Sequence, residues 1–213
     1  QLGAQPDFAT FEDRWLHRDL LAEIHVGHLN IAEAVIEMRG VPVDTKTLVK
    51  ELDLPTEIKP EVLAFSLQSA LIADGRFDQV GPGDARQWYL SRLEPAEALR
   101  VPEALRYQTV SVDLARVPSD LIPFAVELDD EWSDQALDPG IDVRASLTTT
   151  TLLLTYPHLV AGTLPLNRHA SAIFPRGHGE RTAVTLIDGR WGNRFQGWVN
   201  HAGRYVAGLR PWF

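Results

Sequence analysis

The pattern of apolar and polar positions predicts a helical first half followed by a strand-rich second half. Between residues 8 and 75 the apolar side chains recur every three or four positions, which places them on one face of a helix. From residue 143 onward, short runs rich in Thr, Val and Leu are separated by turns that contain Gly, which is typical of strands. The predicted helices cover residues 8–26, 28–38, 45–52 and 60–73.

Residues with known preferences for helix ends mark the boundaries of these elements. We expect Gly27 to interrupt the first helix and Gly40 to end the second, because glycine accepts a left-handed backbone. Asp44 can accept a backbone hydrogen bond at the start of the third helix, and Pro60 suits the first turn of the fourth. The strands of a predicted hairpin cover residues 76–80 and 87–90. The predicted order is therefore helix, short strand, helix, helix and hairpin.

This order and several short motifs resemble a known family over residues 28–93. The motifs are Ile31–Gly40, Val41-Pro42-Val43, Leu71–Phe77 with its Asp-Gly-Arg-Phe sequence, Val80-Gly81 and Trp88-Tyr89-Leu90. They resemble the HARE-type winged helix, a module found in the delta subunit of bacterial RNA polymerase and beside restriction and chromatin proteins. The resemblance implies a nucleic-acid or transcription context, and some members of the family bind protein.

The fourth helix occupies the position of a recognition helix in such a module. It carries Glu61 and no arginine, and its exposed polar residues are expected to be Ser66, Gln68 and Ser69. A helix that docks in the major groove needs cations, because phosphate contacts supply much of the affinity. We therefore expect this half to pack against other elements or to contact protein.

The second half is predicted to form a β-rich domain after a linker. The assigned domains are residues 1–94, a linker at 95–109 and a β domain at 110–213. An acidic loop or short helix is expected at 127–138. The predicted strands cover residues 110–114, 146–156, 159–166, 182–188, 197–200 and 205–209. The expected fold class is therefore α+β.

Several motifs of this half occur in a recognisable order between residues 146 and 213. They are Thr163–Ala170, Ile173-Phe174-Pro175, Val184–Gly189, Trp198-Val199, Tyr205–Leu209 and Pro211-Trp212-Phe213. Together they resemble the B3-type DNA-binding pseudobarrel of plant transcription factors and of the effector domains of some restriction enzymes. The resemblance implies a pseudobarrel that grips the major groove with two loop arms. This chain departs from the family because its second half contains no lysine.

Charge is distributed unevenly along the chain, whose formal net charge is -9. Residues 101–142 carry 2 arginines and 10 acids, whereas residues 143–213 carry 8 arginines and 2 acids. Arginine suits phosphates and guanine edges because its planar fork donates two parallel hydrogen bonds. We expect Trp198 and Tyr205 to be core residues. The predicted DNA-binding residues are Arg168, Arg190, Arg194, Asn200, His201 and Arg204.

No motif of catalysis, metal binding or cofactor binding is present in the sequence. The chain has no cysteine, no Gly-x-Ser-x-Gly nucleophile turn and no phosphate-binding Gly-Lys-Ser/Thr. No lysine follows Lys59, which argues against a restriction nuclease core in the second half. His25 and His28 are three positions apart without a third ligand, so a structural role is expected for them. We therefore expect no enzyme activity, no metal and no cofactor.

The sequence thus predicts a cytoplasmic, DNA-binding regulatory or restriction-related protein with double-stranded DNA as its partner. No apolar run is long enough to span a bilayer, and the acidic N-terminal half offers a surface for a protein partner. The alternative is a protein–protein adaptor that binds no DNA, in which the arginines pair with Asp129, Asp130 or Asp134. A metal-dependent hydrolase that uses His and Asp is a third hypothesis. A chain that begins with Gln1 is expected to be a fragment or a processed form.

Overall fold

The computed structural model describes residues 7–11, 14–55, 57–106, 116–123, 152 and 154–213. Its described part contains helices and three antiparallel sheets, which confirms the predicted α+β class. The chain divides into two compact units, which are described separately below. The first comprises Gln1–Glu94 with Gly177–Gly179, and the second comprises Pro95–Arg176 with Glu180–Phe213. Within the described residues, no helix has the length and apolar character needed to cross a membrane.

The first unit consists of a hairpin followed by three helices and a three-stranded sheet. The hairpin pairs β1 (Phe8–Phe11) with β2 (Arg14–His17). The remaining elements, in chain order, are α1 (Val26–Arg39), β3 (Val43–Asp44), α2 (Thr45–Glu51), α3 (Pro60–Asp74), β4 (Phe77–Gln79) and β5 (Gln87–Leu90). The sheet is antiparallel with the order β3-β5-β4. The predicted order of helix, strand, helix, helix and hairpin is confirmed.

The predicted helix ends of this unit are also confirmed. Gly40 follows α1 with a φ angle of 63°, and Gly75 follows α3 with a φ angle of 75°, both in the left-handed region. The Asp44 carboxylate accepts a hydrogen bond of 2.8 Å from the backbone N–H of Thr47. Pro60 occupies the first turn of α3, where its missing N–H costs no helical hydrogen bond.

The prediction of a helix over residues 8–26 is wrong. This stretch forms β1, β2 and a 3-10 turn at Arg18–Leu20, and α1 begins at Val26 with Gly27 inside its first turn. β1 packs against α3, and the backbone N–H of Ala22 donates to the buried Ser66 hydroxyl at 2.9 Å. These contacts with a distant helix outweigh the local helical spacing, which placed Trp15 and Leu20 on a buried face although both are exposed.

A buried threonine joins three elements of the first unit. Thr45, at the start of α2, donates its hydroxyl to the Arg86 carbonyl at 3.2 Å. The same oxygen accepts from the Trp88 indole N–H at 2.9 Å and from the Gln68 amide at 3.2 Å. One hydroxyl thus uses its donor and both acceptor positions to connect α2, α3 and β5. The fully buried apolar side chains around them include Ile36, Leu48, Leu67, Leu71, Val80 and Leu90.

A network of ion pairs attaches α1 to the sheet. Arg76 pairs with Glu33 and with Asp74, whose Oδ2 lies 2.9 Å from Nη2 of Arg76. Arg92 pairs with Glu37 at 2.9 Å and with Glu33 at 3.2 Å. The hydrogen bond that Arg76 donates to the Asp74 carboxylate is the largest of the contacts that raise the pKa of Arg76. Both arginines are therefore occupied by acids of their own unit.

The described residues of the second unit include a four-stranded antiparallel sheet and the short helices α4, α5 and α6. The sheet has the order β6-β9-β8-β7, with β6 and β7 at its edges within the described residues. Its core includes Leu166, Ala170, Val199 and Val206. In chain order the elements are α4 (Ala96–Leu99), α5 (Tyr156–Ala161), β6 (Leu164–Pro165), α6 (Arg168–Ile173), β7 (Thr182–Ile187), β8 (Arg194–Asn200) and β9 (Tyr205–Ala207).

Several predictions for this half need correction or fall outside the described residues. The strand expected at 159–166 is confirmed only at Leu164–Pro165; residues 159–161 belong to α5 instead, which Pro157 in its first turn and Gly162 at its end define. The stretch assigned to a linker contains α4 and a 3-10 turn at Glu103–Leu105, with Ala98 and Leu105 buried. The strands expected near 182–188, 197–200 and 205–209 are confirmed. Residues 110–114, 127–138 and most of 146–156 lie outside the described residues.

Candidate nucleic-acid interface

The β7–β8 hairpin carries two of the predicted DNA-binding arginines. Arg194 begins β8 and lies opposite Ile187, the last residue of β7. Between them, the Asp188 carboxylate accepts from the backbone N–H of Arg190 at 2.8 Å, and the Asp188 carbonyl accepts from the N–H of Gly192 at 2.8 Å. Gly192 has a φ angle of 72°, which the turn requires and which favours glycine. Local hydrogen bonds therefore fix the shape of this loop.

The tip of the hairpin places an arginine against an exposed aromatic ring. The Arg190 guanidinium carbon lies 4.9 Å from the centroid of the Trp191 ring, which is within cation–π distance. The Trp191 side chain is 69% exposed, so this tryptophan is a surface group. Trp198 and Tyr205 are buried, which confirms the prediction that both are core residues. The tip thus offers a cation and a flat ring side by side to solvent.

Strand alternation separates the charged face of the hairpin from the core face. Leu186 and Val184 point toward the core cluster, and Phe195 is on the same face as its partner Leu186. Arg194 and Ile187 are on the opposite face, and both are exposed. Within the described residues, Arg190 and Arg194 form no ion pair with an acid. The hairpin therefore presents positive charge that no acid among the described residues neutralises.

An aromatic pair supports the base of the hairpin and was not predicted from the sequence. The rings of Phe195 and Trp212 lie 4.2 Å apart between centroids, at an interplanar angle of 30°. Trp212 belongs to a 3-10 turn at Arg210–Trp212 near the end of the chain, and about two fifths of its side chain is exposed. The sequence signal was the pair of aromatics in the closing Pro-Trp-Phe motif, but their partner is set by the fold.

Asn200 and His201 make structural hydrogen bonds rather than presenting free polar groups. The Asn200 amide oxygen accepts from the Gly203 N–H at 2.6 Å, and its nitrogen donates to the Tyr205 hydroxyl at 3.3 Å. His201 donates from Nε2 to the Pro175 carbonyl at 3.1 Å, so Nδ1 accepts from the Ser171 hydroxyl at 3.2 Å. Burial is the main cause of a lowered pKa at His201. Both side chains therefore stabilise the turn between β8 and β9.

Arg204 and Arg168 complete the set of predicted residues. Arg204 has a φ angle of 57°, and its carbonyl accepts from the Leu166 N–H at 2.8 Å, so its backbone ties the β8–β9 turn to the end of β6. Arg168 begins α6, but its side chain lies outside the described residues. The turn and the β7–β8 loop are at opposite ends of β8. Its seven residues separate them by roughly 20 Å at the rise of a strand.

Arg210 and Arg181, two further arginines of the sheet region, have different surroundings. Arg210 pairs with Glu97 at 2.7 Å, and the Tyr205 hydroxyl donates to the Glu97 carbonyl at 2.9 Å, which holds α4 on the sheet. Arg181 has a largely buried side chain and lies 3.5 Å from Glu180. These arginines are engaged within the unit, in contrast to Arg190 and Arg194.

The α3 helix of the first unit is more buried than a recognition helix that docks in the major groove would be. Six of the helix residues from Leu63 to Leu71 are buried, including Ser66 and Gln68. Because β1 packs on the helix and Ala22 bonds to Ser66, the middle of α3 is not a free surface. The expectation that Ser66, Gln68 and Ser69 are exposed is wrong, because Ser66 and Gln68 are buried and Ser69 is only partly exposed with a buried hydroxyl.

The histidine pair of the first unit forms a helix cap. The His25 ring accepts from the Gly27 N–H at 3.1 Å, and the His28 ring accepts from the His25 N–H at 3.3 Å. Their rings stack with centroids 3.7 Å apart. Burial, followed by the charge of His25, lowers the pKa of His28. Among the described residues, no cluster of three or more His, Asp or Glu side chains could hold a metal.

Comparison with known proteins adds no assignment to this geometry. No protein family, no curated protein and no solved structure matches the chain significantly. The functional interpretation therefore stands on the residues and contacts given above.

Proposed function

We propose that the protein is a non-catalytic DNA-associated protein that contacts the DNA backbone through its β7–β8 hairpin. The observation that carries the proposal is the exposed group formed by Arg190, Trp191 and Arg194 at one end of the sheet, whose two arginines have no ion pair with an acid among the described residues. Two guanidinium groups on a short hairpin can each donate hydrogen bonds to a phosphate, and phosphate contacts supply most of the sequence-independent affinity for DNA.

The exposed tryptophan adds a second type of contact to this site. A flat ring with an arginine 4.9 Å from its centroid offers a surface on which a sugar or an unpaired base can stack. The loop is held by the hydrogen bonds of Asp188, so little ordering entropy is lost when it binds. The proposed site contains fewer residues than the six DNA-binding residues predicted from the sequence, because Asn200 and His201 form hydrogen bonds at the β8–β9 turn.

The order of helices and strands in each unit supports the two family resemblances on which the proposal draws. The first unit has the element order and the β3-β5-β4 sheet that agree with a HARE-type winged helix, and its covered α3 favours protein contact over groove reading. The second unit has a strand, a short helix and a Phe-Pro step in the order of a B3-like pseudobarrel. We place the protein in the cytoplasm on the same grounds, as a regulatory or restriction-related protein.

The test is DNA binding by the full chain, measured by fluorescence anisotropy with a mixed-sequence duplex at low salt. Replacing both Arg190 and Arg194 by Ala should weaken binding about a hundredfold or more, because two charged hydrogen bonds of about 1.5–3 kcal/mol each are lost and about 1.4 kcal/mol corresponds to tenfold. The slope of log affinity against log salt should fall by about 0.9 for each phosphate contact that is lost.

A matched control removes the same charge elsewhere in the same unit. Arg100 and Arg106 are exposed, so the Arg100→Ala, Arg106→Ala variant has the same net charge as the hairpin variant. We expect it to bind nearly as well as the unmodified protein. Arg204→Ala should also have little effect, because this residue lies at the far end of β8. Equal losses in the hairpin and control variants would show that only net charge matters and would refute the assignment.

The adaptor function is the second candidate, and the ion pairs of the first unit favour it. Arg39, Arg76 and Arg92 all pair with acids of their own unit. An adaptor would use the arginines of the second unit in the same way, as partners of acids within the protein. The acids first considered as partners, Asp129, Asp130 and Asp134, lie outside the described residues. If the full chain shows no DNA binding even at low salt, the DNA proposal fails and the adaptor remains.

A further inference from the structure

A groove in the first unit combines apolar walls with a positively charged rim. It has a volume of about 610 Å³ and lies between β2, α2, α3 and the segment that enters β5. The apolar walls come from both helices and from the connector between them. The apolar lining residues are Val49, Ile58, Pro60, Leu63 and Ala64. A groove of this size and character corresponds to the sites that bind small molecules in other proteins.

Four cations and one acid surround these walls. Lys46 and Lys50 lie one turn apart on α2, Arg14 comes from β2, and Arg86 comes from the start of β5; the acid is Glu61. Because positions i, i+3 and i+4 share a helix face, Val49 lies beside both lysines. Three separate parts of the sequence thus place like charges around one apolar cleft, although the chain as a whole is acidic with a net charge of -9.

The ion pairing of these cations differs from that of the other basic residues of the unit. In the part of the chain that the structure describes, Arg14, Lys46 and Lys50 form no ion pair with an acid. Arg39, Arg76 and Arg92 each pair with a glutamate of α1 or α2. Arg14, Lys46 and Lys50 thus bring together like charges that no described acid pairs with, which is unfavourable for the folded chain unless a bound anion offsets the repulsion.

The polar end of the groove is held in place by the buried Thr45. Gln68 lines the groove and donates to the Thr45 hydroxyl, and the Arg86 carbonyl accepts from both the N–H and the hydroxyl of Thr45. α2, α3 and the start of β5 therefore keep fixed positions around the cleft. A preformed site loses less conformational entropy on binding than one that must be ordered.

We propose that this groove binds a small amphiphilic anion, with an apolar body between α2 and α3 and a carboxylate or sulfonate at Lys46 and Lys50. The apolar walls exclude a highly charged polyanion such as DNA from the cleft, because they offer it no hydrogen bonds. The cationic rim in turn disfavours a neutral apolar ligand relative to an anionic one of the same shape. Charge complementarity therefore selects the class of ligand.

The test uses two fluorescent probes of nearly the same shape and different charge. Anilinonaphthalene sulfonate is an apolar anion, and N-phenyl-1-naphthylamine is its uncharged analogue. The full chain should bind the anion more tightly, and decanoate should displace it. Lys50→Gln should weaken binding of the sulfonate about fivefold through the loss of one charged contact and leave binding of the amine unchanged. Lys59→Gln removes the same charge from an exposed position that does not line the groove, so it should change neither.

A third variant tests the apolar walls. Ala64→Trp fills the cleft and should abolish binding of both probes, and circular dichroism with urea unfolding shows whether the variant is folded. Lys50→Gln alters only an exposed side chain, so the charge test stands even if Ala64→Trp fails to fold. The proposal is overturned if Lys50→Gln and Lys59→Gln weaken the sulfonate equally. It is also overturned if an acidic peptide displaces the probe and decanoate does not, since the occupant is then a polypeptide.

Discussion

Thr45 provides a sharp test of how the first unit is stabilised. Replacing it with valine keeps the shape of the side chain and removes the hydroxyl. Thr45 is only 4% exposed and Trp88 is fully buried, so water cannot take the place of the lost oxygen at the indole. The Arg86 carbonyl keeps its bond from the Thr45 N–H at 3.0 Å. The substitution therefore leaves two buried donors, Trp88 Nε1 and Gln68 Nε2, without an acceptor.

The cost follows from the burial of each donor. A buried donor without a partner costs roughly 1–3 kcal/mol. The indole belongs at the upper end of this range, and Gln68 belongs at the lower end because it lines an open groove. We expect Thr45→Val to lower the free energy of unfolding of the first unit by about 2–4 kcal/mol. Thr45→Ser keeps the hydroxyl and loses one methyl group, which costs about 1 kcal/mol.

Urea unfolding followed by far-ultraviolet circular dichroism measures these differences. Thr185→Val makes the same chemical change at an exposed position of β7 and should stay within about 0.5 kcal/mol of the unmodified protein. The reasoning is refuted if Thr45→Val is as stable as Thr185→Val, or if Thr45→Ser is less stable than Thr45→Val. Either result would mean that the hydroxyl does not satisfy the two donors.

Three further predictions concern the backbone, a helix cap and pH. Gly162 and Gly192 both have left-handed φ angles, but a Cβ at Gly162 would lie 2.8 Å from the backbone of the 3-10 turn at Arg210–Trp212, whereas a Cβ at Gly192 would meet open space. Gly192→Ala should therefore lower the free energy of unfolding by about 1 kcal/mol, and Gly162→Ala by about 1–3 kcal/mol more. Urea unfolding measures both differences. Asp44→Ala should destabilise the first unit by about 1 kcal/mol at neutral pH through loss of the cap. Burial raises the pKa of Asp44, but hydrogen bonds from the chain outweigh this effect and lower the pKa below 3.8. The difference in unfolding free energy between Asp44→Ala and the unmodified protein should therefore shrink as the pH falls below 3.8. A difference that stays constant would contradict the role of Asp44 as a cap. Burial lowers the pKa values of His158 and His201 below 6.5, so these histidines take up protons at higher pH in the unfolded chain than in the folded one. The second unit should therefore lose stability as the pH falls from about 6.5 to 5. Equal stability at about pH 6.5 and about pH 5 would contradict the lowered pKa values.

The parts of the fold that depend on local backbone preferences were predictable from the sequence. Gly40, Asp44 and Pro60 each act within a few residues, so their roles follow from residue type and spacing. The N-terminal hairpin was not predictable, because its stability comes from contacts with α3 some fifty residues away. The start of residues 159–166 was predicted as a strand because this short apolar run was considered without Pro157, which begins α5, and Gly162, which ends it.

The candidate site was predictable in part for a similar reason. The sequence identified Arg190 and Arg194 beside Trp191, since a short polar loop between strands is exposed by its position. It could not show that Asn200 is used by its own turn, because an amide is equally suited to a turn and to a base edge. The cationic rim of the groove combines Arg14 with the lysines of α2 and with Arg86, which precedes β5. These residues are distant in the sequence, so the rim could not be predicted without the tertiary fold.

The histidine cap makes the start of α1 sensitive to acid. A ring nitrogen accepts a hydrogen bond only while it is unprotonated, so His25 and His28 hold the first turn only as neutral rings. Protonation of His28 would remove the bond from the His25 N–H and place a positive charge beside the positive end of the helix dipole. Because burial and the charge of His25 lower the pKa of His28, this bond persists to pH values below its ordinary 6.5. The effect of a charge at a helix end falls off within about one turn, so acid would open the start of α1 while the ion pairs of Glu33 and Glu37 still join the rest of the helix to the sheet.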